Sequence, residues 1–203
     1  MIYMVDHVFE DPATEPDWHA WYADYLRKLT AVPGIRSAQR FKALGCTPSR
    51  YLAMYTVDSA EVFTSEPYKA MGGGGSRSAR FHPAYRLWTR NLFVAAAGDD
   101  AQEVAAVRAP AVRDGERVLV FDRNDRPPRR FAPPLLVRRG EPNETGARDA
   151  PANLEDGATW LESVGLHMTT RYRAFVVLQP DAATDGSRIP ASFLYEPFTP
   201  FIS

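Results

Sequence analysis

His7 and His82 are the two side chains of this 203-residue chain best placed to move a proton, because an imidazole with an ordinary pKa of about 6.5 serves as base or acid near neutrality. His7 lies within the run Ile2 to Phe9, on the face shared by Tyr3, Val5 and Phe9, while Asp6 points the other way with Met4 and Val8. Turned into a cavity it is a general base; at a sheet surface it is a hydrogen-bonded structural histidine. His82 precedes Pro83 and follows the glycine run Gly72 to Gly75, so a loop would bring it to a cavity mouth as a second acid or base. Arg36 and Arg40 project from one side of a second extended run, four residues or about 13 Å apart. They can polarise a carbonyl or hold a carboxylate, or simply coat a solvated face, and Arg40 is the favoured one. Tyr22 and Tyr25 offer phenols on an apolar helix stripe whose ordinary role is packing.

Other chemistry is not signalled. No two histidines stand at the i, i+4 spacing of a zinc-binding helix and no Cys-x-x-Cys occurs, so no metal is expected. Gly72 to Gly75 is not followed by Gly-Lys-Ser/Thr, so the run is read as a loop, or an anion nest with Ser76, Arg77, Ser78 and Arg80, rather than a nucleotide loop. Cys46, the single cysteine, has no basic neighbour to activate it and excludes an intrachain disulfide. His19, on the polar side of a helix, and His167, at a strand start, are read as surface or capping residues.

The elements that must position these groups follow from period. Ile2 to Phe9 is a strand, ended by the turn cluster Asp11 to Pro16. Trp18, Trp21, Tyr22, Tyr25, Leu29 and Val32 recur every three or four residues as one helical stripe, which Pro33-Gly34 stops. Ile35 to Lys42 alternates as a strand with Ile35, Ser37, Gln39 and Phe41 on one face and Arg36, Ala38, Arg40 and Lys42 on the other. Tyr51 to Val57, which includes Tyr55, is apolar on both faces and reads as a central strand. A short helix through Glu61 to Tyr68 and a strand over Arg86 to Val94 complete a βαββαβ order, an α+β unit with both helices on one face of an antiparallel sheet.

Residues 1–95 form this ferredoxin-like half, 96–114 an Ala-rich linker and 115–203 a degenerate second copy that curls with the first into an α/β barrel. In the second half Arg117 to Asp122, His167 to Gln179 and Ala191 to Phe198 are read as strands. Leu154, Ala158, Leu161 and Val164 are read as a short helix. The Pro- and Arg-rich stretch 123–152 is an irregular excursion whose interleaved acids argue against a polyanion patch. With 24 basic and 25 acidic residues, net charge −1, the chain has no field to draw nucleic acid or an anionic membrane. A start that is charged by its sixth residue and the lack of long apolar runs lead us to expect a soluble, cytoplasmic protein.

Trp21-Tyr22-Ala23-Asp24-Tyr25-Leu26, Ala31 to Phe41 with its Pro33-Gly34, Tyr51 to Tyr55, Ser65 to Ala70 and Arg90 to Phe93 together resemble the EthD-like branch of the dimeric α/β-barrel superfamily, over residues 1–94. The resemblance implies a barrel or cleft for a small organic molecule. Many relatives carry a histidine in the first helix where this chain has Tyr25. It also implies a homodimer, or a monomer if the second half completes the barrel.

These readings converge on a small-molecule enzyme with no cofactor, a dehydratase or isomerase of an oxygenated organic acid or sugar-derived compound. His7 would be its base, Arg40 and Tyr25 would polarise the substrate, His82 would be a further acid, and Tyr3, Tyr22, Arg36, Phe41 and Tyr55 would line the site. A cofactor-independent monooxygenase and a non-catalytic ligand-binding or stress-response barrel are the alternatives. All require the concave side of the N-terminal sheet to enclose a hollow facing His7 and Arg40.

Overall fold

The computed structural model describes residues 1–96, 106–124, 158–180 and 192–203. Eight strands run antiparallel: β1 (Ile2–Phe9), β2 (Ile35–Ala43), β3 (Tyr51–Val57), β4 (Tyr85–Ala95), β5 (Arg117–Arg123), β6 (Thr159–Leu166), β7 (Tyr172–Leu178) and β8 (Ser192–Pro197). They close into a barrel in the order β1-β3-β2-β8-β5-β7-β6-β4. The first four form a sheet ordered β4-β1-β3-β2, joined to the others by the β2/β8 and β4/β6 seams. Strand β3, buried along its whole length, is central as its two apolar faces require.

Two helices cover the outer face of this first sheet. Helix α1 (Glu15–Thr30) starts where the Asp11 carboxylate accepts from the Ala13 N–H and the Thr14 hydroxyl, with Pro16 in its first turn and Glu15 and Asp17 favouring its positive end. Trp18, Tyr22, Leu26 and Leu29, spaced four, four and three, form the buried stripe. Pro33-Gly34 ends the segment with Gly34 at φ +91°, a backbone that a side chain resists. Helix α2 (Glu66–Ala70) follows a 3₁₀ turn, with the Ser65 hydroxyl accepting from the Tyr68 N–H. The glycine-rich stretch expected as a loop is instead the start of a 3₁₀ segment, Gly73–Ala84, entered through Gly72 at φ +79°.

Side-chain alternation sends each strand's residues to two cores. Tyr3, Val5, Phe9, Tyr51, Ala53, Tyr55 and Val57 pack outward under α1, whereas Ile2, Met4, Phe41, Leu52, Met54 and Phe93 meet Val118, Val120, Leu161, Phe175 and Tyr195 inside the barrel. A bulge between Ile35 and Ser37 puts Ile35 on the α1 side with Ala38, not with Ser37 and Gln39 as strict alternation required. The interior also holds an ion triad: Arg173 donates from Nη1 to Asp6 Oδ2 at 2.9 Å and from Nε and Nη2 to Asp122 at 2.7 and 2.9 Å. Burial opposes the charge on Arg173, and the two carboxylates outweigh it, raising its pKa.

Two expectations for the second half change. Residues 159–166, read as part of a helix, are strand β6: Trp160 faces the outer core with Ala174 and Val176, while Leu161 faces inward. A spacing of three and four misled because both faces of this strand are apolar at its start. The part of the linker that is described is not a spacer either. Ala109 and Val112 join the interior core, Gln39 exchanges hydrogen bonds with the Val112 backbone at 2.7 and 3.0 Å, and the Ala109 N–H donates to Thr56 Oγ1. Leu154 and most of the Pro- and Arg-rich excursion lie outside the described residues. Among the described residues no helix is long and apolar enough to cross a membrane.

Candidate active site between the first helix and the sheet

Among the described residues the barrel interior is packed, so the hollow that every reading of the sequence required is not there, and His7 and Arg40 point the other way, into the layer between the sheet and α1. The odd residues of β1 form the outward row, so His7 shares its face with Tyr3, Val5 and Phe9 as alternation requires. It is the side chosen by α1 that makes this row the covered one. There a small, partly open cleft is lined among others by Tyr3, Val5, His7, Tyr22, Tyr25 and Tyr55 from β1, α1 and β3. Opposite them stand Tyr68, Gly72, Ser78, Tyr85, Trp88 and Arg90.

His7 is 2% exposed, with its ring 5.3 Å from Tyr22 and 5.5 Å from Trp18 and Tyr85, and its Nδ1 is buried without a hydrogen-bond partner. Burial first, and the Arg40 charge second, hold its pKa well below 6.5, so the ring is neutral at physiological pH. Arg40, 1% exposed, lies over Tyr22 at 4.0 Å and Trp18 at 4.6 Å, with Tyr51 and Phe198 at 5.5 Å. Its Nη2 reaches His19 Nδ1 at 3.4 Å, while Nε and Nη1 have no partner. Burial lowers its pKa. Arg40 thus sits behind the cleft wall rather than in it.

His19, expected at the surface, is half-buried beside Arg40, with Nε2 3.8 Å from Glu15 Oε1. Burial, then Arg40, lowers its pKa to about 4. Tyr51 donates to the same Glu15 oxygen at 2.6 Å.

The phenols remain protonated. Burial raises Tyr3, Tyr25 and Tyr55 well above 10, and Tyr22, whose hydroxyl is 3.2 Å from that of Tyr55, rises to about 12. Tyr25 stacks on Trp21 at 4.9 Å on the shoulder of α1, half-buried at the cleft. His82 does not line the cleft but accepts or donates across 2.8 Å to Ser78 Oγ, which does. Ser78 also bonds Tyr85, whose hydroxyl accepts from Trp18 Nε1 at 3.0 Å.

Besides Arg40 and His82, two more residues expected at the site stand away from it. Arg36, freed from the row by the bulge, pairs at the surface with Asp58, Nη2 to Oδ2 at 2.6 Å. Phe41 is in the barrel interior. Sequence reasoning named Ser78 only as part of an anion nest and missed Tyr85, Trp88 and Arg90. Trp88 and Arg90 carry a readable signal, since they alternate on β4, which pairs with β1 so that Trp88 faces His7 and Arg90 faces Val5, whereas Tyr85, three residues before Trp88, lies beyond the register shift at Val8/Phe9. Among the described residues no cluster of His, Cys, Asp and Glu has the makings of a metal site.

No protein-family model matches the chain, and no curated protein is similar to it in sequence. Among solved structures, a crystal structure described as an anthrone oxidase-like protein superposes with a TM-score of 0.51 at 11% identity, covering 99% of this chain and 92% of that one. A second, described as a putative chlorite dismutase, reaches 0.46 at 12% identity over 97% of this chain and 94% of its own. The first likeness shows the fold alone, a closed barrel of antiparallel strands.

Proposed function

We propose that this protein is a small-molecule enzyme that transfers a proton on an oxygenated ring compound held in the α1 cleft, dehydrating or isomerising it with His7 as base. The observation that carries this reading is a neutral imidazole with an unpartnered nitrogen in an aromatic-walled cleft. A base with so low a pKa matches an acidic proton, such as that of a phenol or of a carbon between carbonyl groups. Once protonated, His7 faces the positive Arg40 and favours giving the proton back, either to another carbon or to a departing hydroxyl. Tyr22, Tyr25 and Tyr85 donate hydrogen bonds to the oxygen that gains charge, and Arg40 acts on His7 rather than on substrate. His82 works through Ser78 as the acid at the cleft edge. Tyr3 and Tyr55 form its floor.

Deuterium uptake from heavy water into a panel of hydroxylated cyclic ketones tests the reading. The wild-type chain should label carbon, His7→Asn should lose about 100-fold or more, and Ser78→Ala should lower turnover with little change in binding. Equal labelling by wild type and His7→Asn would remove His7 from the mechanism, and no labelling at all would favour a binding barrel. Oxidation by dioxygen is a second reading, favoured by the fold neighbour described as an anthrone oxidase-like protein; oxygen uptake during turnover separates the two.

The second half is further proposed to be a degenerate copy of the first, of EthD-like origin. Support comes from the strand order β8-β5-β7-β6, which repeats β4-β1-β3-β2 position for position. On that reading the chain completes its own barrel as a monomer, and light scattering in solution tests it.

A further inference from the structure

We propose that the cleft selects an aromatic anion, with Arg90 as its counter-ion; this rests on the α1 cleft being the ligand site and adds the substrate's charge. Of the described residues lining the cleft none is acidic, and His7 is neutral, so among them the guanidinium of Arg90 supplies the one formal charge. Arg90 makes no ion pair among the described residues, and its Nε is buried without a partner. Its guanidinium lies 5.0 Å from the Trp88 ring and lowers the energy of negative charge at Tyr3 and Tyr25, placing it among those phenols. A guanidinium with no acid beside it is built for a carboxylate or another oxyanion, which it can bind through two parallel hydrogen bonds.

The spacing sets the shape of the ligand. Arg90 pairs with Val5 in register, two residues along β1 from His7 on the same face, or about 7 Å. That is close to the length of one six-membered ring with its substituents. A ligand with an acidic group at one end and the proton to be removed at the other would therefore bridge Arg90 and His7, flat against Trp21, Tyr25 and Trp88.

Benzoate and the uncharged benzyl alcohol, titrated against the tryptophan fluorescence of the full chain, test this directly, because Trp21 and Trp88 line the cleft. Benzoate should bind saturably and at least tenfold more tightly than benzyl alcohol. Arg90→Met and Arg90→Gln, checked for native circular dichroism, should abolish the preference, Arg90→Lys should keep part of it, and His7→Asn should still bind benzoate. Equal affinity for the two probes, binding of neither, or an unchanged preference in Arg90→Met would overturn the proposal. Benzoate binding without any proton exchange would uphold it while sinking the enzyme reading.

Discussion

Arg40 and His7 share the same two aromatic neighbours: Trp18 and Tyr22 lie 4.6 and 4.0 Å from the guanidinium and 5.5 and 5.3 Å from the imidazole. A permanent cation and a titratable ring are thus held in one water-poor layer, where each makes charge on the other costly.

Stability should depend on pH through His7. Its folded pKa lies well below 6.5, so below that pH the unfolded chain takes up a proton that the folded chain refuses. Stability present above pH 6.5 is therefore lost as the pH falls, at up to about 1.4 kcal/mol per pH unit for this one site. His19, lowered to about 4, adds loss in the same direction down to that pH. Urea unfolding at a series of pH values should show a shallower slope in His7→Asn, by as much as one proton; an unchanged slope would mean that His7 titrates normally.

Replacing Arg40 by methionine should leave the fold as stable or more stable, by up to about 2 kcal/mol. A buried charge with no carboxylate in contact carries a desolvation cost of several kcal/mol, which stacking on two rings offsets by only about 2. The same change should move the His7 pKa upward toward 6.5, as followed by its ring signals in an NMR titration. Burial remains, so the rise is partial. A loss of stability above about 2 kcal/mol would show that the aromatic cage more than compensates the buried charge.

The interior triad predicts the opposite sign. Arg173→Met leaves Asp6 buried without its partner and should cost about 3–5 kcal/mol in chemical unfolding. Adding Asp6→Asn should restore much of that loss, because a neutral amide needs no counter-charge. Failure of the double variant to recover would place the loss in packing against Met4 and Phe93 instead.

What could be read from the chain was periodic and local. The α1 stripe, the Pro33-Gly34 stop and the two apolar faces of β3 each state their environment within a few residues, and they place β1 to β4 in order. Which face of β1 meets the helix and which meets the barrel is decided by α1 and by β5 to β8, far away in sequence, so His7 was assigned to a cavity of the wrong side. Arg36 left its row because of a bulge, which no alternation pattern reveals. Ser78 and His82 come together only because the glycine-rich stretch winds as 3₁₀ helix. In β6, apolar residues on both faces imitate helical spacing, and nothing local corrects the error.

A ring of eight strands has no first or last member. The backbone donors and acceptors that line the rim of an open sheet, and invite another chain to add itself, are satisfied here by the β2/β8 and β4/β6 seams. Among the described strands none therefore offers an open edge to strand addition. Cutting either seam, for example by proline in β8 opposite Lys42, would create one, and fibril formation would become the hazard to watch.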